Sequence, residues 1–253
     1  MGIACTAALQ TDRERRGDDR AFICIKTEQN EKLYALYFSK ASRAEQEALL
    51  SDWLLVLIAQ AVGAERGLML PGSFNPVHKG HLGMLTAAEE ITGLHGVFEL
   101  SAANVDKPDI PEDEIMRRAS AIRDIPVALT RAPRFIQKAE LFPNTTFVIG
   151  YDTAVRLIGC AQPGEWEHFQ TSESSFLVAG RIFQTLETKS WKRHPAAGQR
   201  LEASSTPRKI FHSLENLNLP AGFESLFESI PEEIFREDIS STELRENTRE
   251  SNE

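Results

Sequence analysis

The pattern of apolar and polar positions changes partway along the chain. Ala21 to Lys26 alternates as a short strand, Leu33 to Phe38 reads as a second, and Asn30-Glu31 between them suits a hairpin turn. Arg43 to Val62 then carries apolar residues at helical spacing, among them Ala48, Leu49, Trp53, Leu54, Leu57 and Ile58. A hairpin and one helix leave faces uncovered, so this stretch makes a poor domain by itself. After Gly63 strands and helices alternate. Gly67 to Pro71 is a short strand, followed by a Gly/Pro/His loop and a helix from His81 to Ile91, which Gly93 is placed to end in a left-handed conformation. Val97 to Leu100, Val127 to Thr130, Thr146 to Ile149 and Phe176 to Ala179 are further strands. Pro111 to Ile122, Arg134 to Leu141 and Thr153 to Ile158 are the helices between them. Such alternation predicts an α/β fold, a mostly parallel sheet with helices on both faces, and a ligand site at the carboxyl ends of the strands near the switch in strand order.

The chain of 253 residues suits one large domain plus a smaller piece, divided here at 1–63 and 64–253. Apolar (42%) and charged (26%) fractions allow a sizeable core, and no repeat or low-complexity tract interrupts it. The net charge of −9 argues against a general nucleic-acid or anionic-membrane surface, so phosphate binding would need a local cluster of donors. Cys5, Cys24 and Cys160 lack metal-ligand spacing and are expected to be free thiols in the core of a cytoplasmic protein. Trp53 to Ala64 is too short to cross a bilayer, and the densely charged Thr11 to Arg20 does not suit a secretory leader.

Chemistry concentrates in the loop after the Gly67 to Pro71 strand. Gly72 would let the backbone approach a phosphate, and His78 and His81, with Gly80 between them, open the helix where free N–H groups favour an anion. Two imidazoles on one phosphate could stabilise charge building up during transfer. A His-x-x-His pair alone is weak, equally a helix cap or part of a metal site that lacks its other ligands. Downstream, Ser240 and Glu243 form a capping box in Asp238-Ile-Ser-Ser-Thr-Glu-Leu-Arg245, whose hydroxyls and Arg245 would cradle phosphate.

Gly72, Ser73, Phe74, Asn75, Pro76, His78, Gly80 and His81 together match the G-[ST]-F-[DN]-P-x-H-x-G-H signature, and Ile239 to Arg245 matches ISSTxxR. On these two motifs, in order, the chain from Gly67 to Arg245 resembles the nucleotidyltransferase superfamily, nicotinamide-nucleotide adenylyltransferases in particular. The resemblance implies a Rossmann-like, doubly wound sheet. It implies that His78 and His81 meet the reacting phosphates, with Arg245, Ser240, Ser241 and Thr242 on the triphosphate and Gly72, Ser73, Phe74 and Gly80 shaping the phosphate loop. Gly150 and Asp152 resemble the G-x-D that lies against the adenosine, Lys107 the cation that contacts the acceptor's phosphate, and Arg181 a further nucleotide contact. Mg²⁺ would be carried mainly by the nucleotide's phosphates, with no protein metal site. Lys189, Lys192 and Arg193 around Trp191 read as a solvated cationic loop.

Gly2 to Ala4, Ala21 to Lys26 and the helix to Leu57 resemble the second half of the nicotinamide-nucleotide amidase (competence-damage-inducible) family. The half that would carry its serine nucleophile and lysine has no counterpart, so amidase activity is not expected. The pairing tilts the expected acceptor towards nicotinamide or nicotinate mononucleotide, with ATP as donor. Another phosphorylated acceptor (pantetheine phosphate, or an alcohol phosphate with CTP), a nucleotide-binding regulator, a structural interaction module and a homo-oligomer stay open.

Overall fold

The computed structural model describes residues 1–13, 15–103, 108–186 and 207–236, without the side chains of 184–186 and 207–208. In chain order the strands and helices are β1 (Gly2–Ala8), β2 (Arg20–Lys26), β3 (Glu31–Tyr37), α1 (Arg43–Ala61), β4 (Gly67–Pro71), α2 (Lys79–Thr92), β5 (Gly96–Ser101), α3 (Glu112–Ser120), β6 (Val127–Thr130), α4 (Phe135–Leu141), β7 (Thr145–Gly150), α5 (Tyr151–Cys160), α6 (Glu165–Thr171), β8 (Ser175–Ala179), β9 (Arg181–Leu186), β10 (Pro207–His212) and β11 (Phe227–Ile230).

Nine of these strands form one sheet in the order β1-β2-β3-β6-β5-β4-β7-β8-β11. From β6 to β11 every pairing is parallel. The chain starts this region at β4, steps outward through β5 and β6, returns beside β4 as β7, and continues the other way. The order therefore reverses between β4 and β7, the doubly wound arrangement expected from the alternating pattern. Helix α2 packs on one face, where Leu85 joins Leu68, Leu70, Phe98 and Ile115. Helices α1, α4 and α5 cover the other, where Trp53, Leu57, Ala139 and Ala154 meet Ile23, Phe147 and Phe176. Because the connections after β4 and β7 leave on opposite faces, a crevice opens between the carboxyl ends of these two strands.

The hairpin and helix of the N-terminal stretch are present, with Ser42 capping α1 through a reciprocal box with Glu45. Residue pairs Leu33–Leu129, Tyr34–Ala128 and Ala35–Val127 join β3 antiparallel to β6, so the hairpin continues the same sheet. A third strand, β1, was not expected; its small residues show little alternation, and its place comes from pairing along β2, with Cys5 opposite Ile23. Helix α6 and strands β9 to β11 were also not foreseen. The four residues of β11 include Glu228, and they are held as a strand by β8.

The cysteine expectation needs correcting. Cys5 and Cys160 are exposed and Cys24 is half-buried, because Cys5 lies on the edge strand and Cys160 ends α5 at the surface. Among the described residues, no helix is long and apolar enough to cross a membrane.

Candidate active site

The residues between β4 and α2 are fixed by an aromatic packed beneath them. Phe74 has a positive φ of 42°, a conformation that side chains rarely adopt, and its ring is only 1% exposed. It stands edge-on to Phe98 of β5 at 4.9 Å and to the His81 ring at 5.2 Å. A Cβ added to Gly72 would lie 2.6 Å from that phenyl ring, while the Gly72 N–H donates to the carbonyl of Glu99 at 3.0 Å. Glycine is needed there to admit Phe74, a reason additional to the phosphate approach expected from sequence. The Asn75–Pro76 peptide bond is cis.

The helix starts earlier than the pattern suggested, at Lys79, because His78 serves as its N-cap. The two histidines cap each other's backbone: Gly80 N–H donates to His78 Nδ1 at 3.2 Å, and His78 N–H donates to His81 Nδ1 at 3.3 Å. Their rings lie 3.8 Å apart at 34°. With Nδ1 accepting in both, the neutral form of each ring carries its proton on Nε2. Burial, and then the charge of His78, push the His81 imidazolium down to about 4, so at neutral pH His81 is an uncharged donor. Gly80 is buried between them and Ser73 is exposed at the loop's rim.

Across the crevice, Gly150 ends β7 and is the N-cap of α5. The nearest atom to a Cβ built on Gly150 is Met84 Cε of α2 at 3.9 Å, so both walls meet here. Asp152, in the first turn of α5, is ion-paired with Arg181 at the start of β9, and that guanidinium lies 5.5 Å over the Phe183 ring. Both partners are about half exposed. The histidines, Gly150, Asp152 and Arg181 thus gather at the switch in strand order. Lys107, Ser240, Ser241, Thr242, Arg245 and the Lys189 to Arg193 loop lie outside the described residues. Phe235 packs 3.1 Å from a Cβ position on Gly83, two residues beyond His81, so the chain last described before the second motif passes beside α2.

Several residues at the site were not singled out from sequence. Arg118 of α3 donates to the carbonyl of Ser73 at 3.0 Å, and Arg117 donates to Asn75 Oδ1 at 3.4 Å. Glu114 takes both arginines, at 2.6 Å each, which holds it well below the usual carboxylate range, at about 2. The only sequence signal was Glu114 three and four residues before two arginines, ordinary for any exposed helix. Tyr151, Phe183 and His212 form an aromatic group beside the Asp152–Arg181 pair, with ring centroids 4.8 to 5.7 Å apart. Beneath the loop, buried Glu99 bonds Lys138 at 2.7 Å and Thr130 at 2.5 Å, and Lys138 also donates to the Ala132 carbonyl at 2.6 Å. No group of three or more His, Cys, Asp or Glu side chains able to hold a metal occurs among the described residues.

The family model described as cytidylyltransferase-like matches residues 69–247, more than half of the chain. A probable nicotinate-nucleotide adenylyltransferase of Trichlorobacter lovleyi is 30% identical over 112 residues, which cover 44% of this chain and 51% of that protein. The chain spans about half the length of this curated relative. The matched region of the family model begins inside β4 and takes in the histidine cap, the β4–β7 crevice and the Asp152–Arg181 pair, and on that match the chain belongs to the cytidylyltransferase-like family.

Proposed function

We propose that the protein is a nucleotidyltransferase that moves AMP from ATP to nicotinate or nicotinamide mononucleotide, giving deamido-NAD or NAD and pyrophosphate. The observation that carries this reading is the pair of imidazoles locked by reciprocal capping at the switch point of the sheet. A phosphate oxygen of the acceptor attacks the α-phosphorus of ATP in line; the new P–O bond forms as the bond to the β-phosphate oxygen breaks, and pyrophosphate carries away the electron pair. No protein nucleophile is needed, so the protein acts by positioning and by donors aimed at developing charge.

In this reading His78 and His81 present Nε2 to the phosphates. A neutral His81 suits that role, because it can donate without a counter-ion and gains proton affinity as negative charge builds beside it. Gly150 and Asp152, the latter held by Arg181, flank the adenosine. Lys107 meets the acceptor's phosphate, and Ser240, Ser241, Thr242 and Arg245 hold the β- and γ-phosphates. Mg²⁺ arrives with the nucleotide and neutralises its phosphates. The choice of ATP and of a pyridine mononucleotide is supported by the name of the Trichlorobacter relative and by the Gly72-Ser-Phe-Asn-Pro76 form of the loop. Residues 1–63 serve in this reading as a packing module without amidase chemistry, and the protein works in the cytoplasm.

Purified protein with ATP, Mg²⁺ and either mononucleotide should release pyrophosphate and form the dinucleotide, and His81→Ala should not. Transfer with CTP and an alcohol phosphate, or with ATP and pantetheine phosphate, would keep the chemistry and replace the acceptor. Nucleotide binding without turnover on any of these pairs would refute transfer.

A further inference from the structure

Glu99 of β5 and Lys138 of α4 form an ion pair inside the protein, their side chains 1% and 6% exposed. The carboxylate accepts from Thr130 at 2.5 Å and from Lys138 at 2.7 Å, and the ammonium donates also to the Ala132 carbonyl at 2.6 Å. The Ala132 N–H in turn donates to the Thr130 hydroxyl at 3.2 Å. Both main-chain polar groups of buried Ala132 are thus held from within the molecule. The transfer chemistry described above makes no use of this cluster.

Stability alone does not account for it. Desolvating two charges offsets much of what their attraction gains, so well-packed apolar residues would hold the fold about as well. What a hydrogen-bonded pair adds is direction, because it fixes where particular main-chain atoms lie. Its place in the sheet gives that direction a use. Thr130 ends β6 and Ala132 follows it, while the Glu99 carbonyl accepts from the Gly72 N–H at 3.0 Å. The cluster therefore links the segment after β6 to the loop that leads into the histidine cap. Arg131 and Arg134, on either side of the pinned Ala132-Pro133, are 80% and 42% exposed and ion-paired with Asp109 and Glu165. Both arginines are thereby held at the carboxyl end of the sheet, on the β5–β6 side of β4, whereas Gly150 and Asp152 stand on the β7 side.

In the adenylyltransferase reading, on which this inference rests, the adenosine takes the β7 side and leaves the β5–β6 side to the acceptor. We propose that Glu99 and Lys138 are positioning residues for the acceptor. By fixing the segment from Arg131 to Arg134 against the loop of Gly72, they hold the anionic mononucleotide with its phosphate oxygen in line with the α-phosphorus of ATP. Neither side chain touches a reactant; both act through Ala132 and through the main chain of β5.

The test is steady-state pyrophosphate release by the whole chain carrying Glu99→Leu and Lys138→Met together, which removes both charges and leaves none unpaired. The KM for the mononucleotide should rise about 10-fold and kcat should fall by a similar factor, while the KM for ATP changes by less than about 2-fold. Ile23→Val, in the core beneath α1, is the control for a general loss of stability and should leave both KM values unaltered. If the double variant does not fold, Thr130→Val, which removes the hydroxyl shared by Glu99 and Ala132, takes its place and should show the same split in smaller measure. Wild-type kinetics in the variant, or equal rises in both KM values, would overturn the positioning role while leaving the adenylyltransferase reading intact. A wild type that releases no pyrophosphate with any acceptor would instead defeat that reading, and this inference with it.

Discussion

Arg118 Nη1 donates to the carbonyl oxygen of Ser73 at 3.0 Å. Ser73 lies in the loop between β4 and the histidine cap, and Arg118 lies on α3, so one hydrogen bond ties the loop to a helix 45 residues away in sequence. The same guanidinium is held at 2.6 Å by Glu114, which fixes its direction.

Arg118→Met should therefore leave the fold in place and loosen the loop that presents His78 and His81. The expected outcome is a fall in kcat of roughly 10-fold with a smaller change in KM, because misplacing groups at a reacting phosphate costs rate more than affinity. Steady-state kinetics of pyrophosphate release checks this; unchanged kcat would remove Arg118 from the positioning of the loop.

Gly72→Ala places a methyl group 2.6 Å from the Phe74 ring, which is wedged between Phe98 and His81 and has little room to move. Overpacking of this kind costs about 1–3 kcal/mol. Urea unfolding should show that loss, and displacement of Phe74 should carry the His81 ring with it, so turnover should fall as well.

The His81 imidazole is held neutral in the folded protein down to about pH 4, against an ordinary value near 6.5. Between these two pH values the unfolded chain takes up a proton at this position and the folded chain does not. Stability should thus fall as pH drops from 6.5 to 4, with no contribution from His81 to the slope above or below that window. His81→Asn, which keeps an acceptor for the His78 N–H, should flatten this part of the stability profile. An unaltered slope from pH 4 to 6.5 would contradict the assignment.

Lys138→Met should leave the Glu99 carboxylate buried with Thr130 but no counter-charge. Removing one member of such a pair costs about 3–5 kcal/mol, whereas replacing both by apolar groups is much less damaging. Chemical denaturation of Lys138→Met and of the double variant Glu99→Leu/Lys138→Met measures the difference. If the double variant is no more stable than the single one, the loss comes from something other than the unpaired charge.

The legible parts of the site are those carried by residues close together in sequence. The loop from Gly72 to His81 could be read because a glycine and two histidines at a helix start lie within ten positions of one another, whereas the positive φ of Phe74 could not. Gly93 could be read as a helix end for a similar reason: it adopts φ 68° and donates to Glu89 at 2.8 Å. The clamp from Glu114 and Arg118, the ion pair of Asp152 with Arg181 and the Glu99–Lys138 pair could not. In each, the decisive contact is one that local sequence does not link: Arg118 meets Ser73, Asp152 meets Arg181 and Glu99 meets Lys138 only when the strands are ordered.

By itself the sequence determined that strands and helices alternate after Gly63 and which family its local motifs match, since hydrophobic periodicity and local motifs are properties of neighbouring residues. Tertiary structure alone decided that β3 joins β6 and extends the sheet, that a third strand lines its edge, and that Cys5 and Cys160 face solvent. It also decided that Gly72 is glycine because the Phe74 ring packs against it, and that Lys32 is buried beside the Phe142 ring. The physical reason is the same throughout: burial, pairing and close approach depend on what the rest of the chain brings to a position, and strand order is set by packing between segments far apart in sequence.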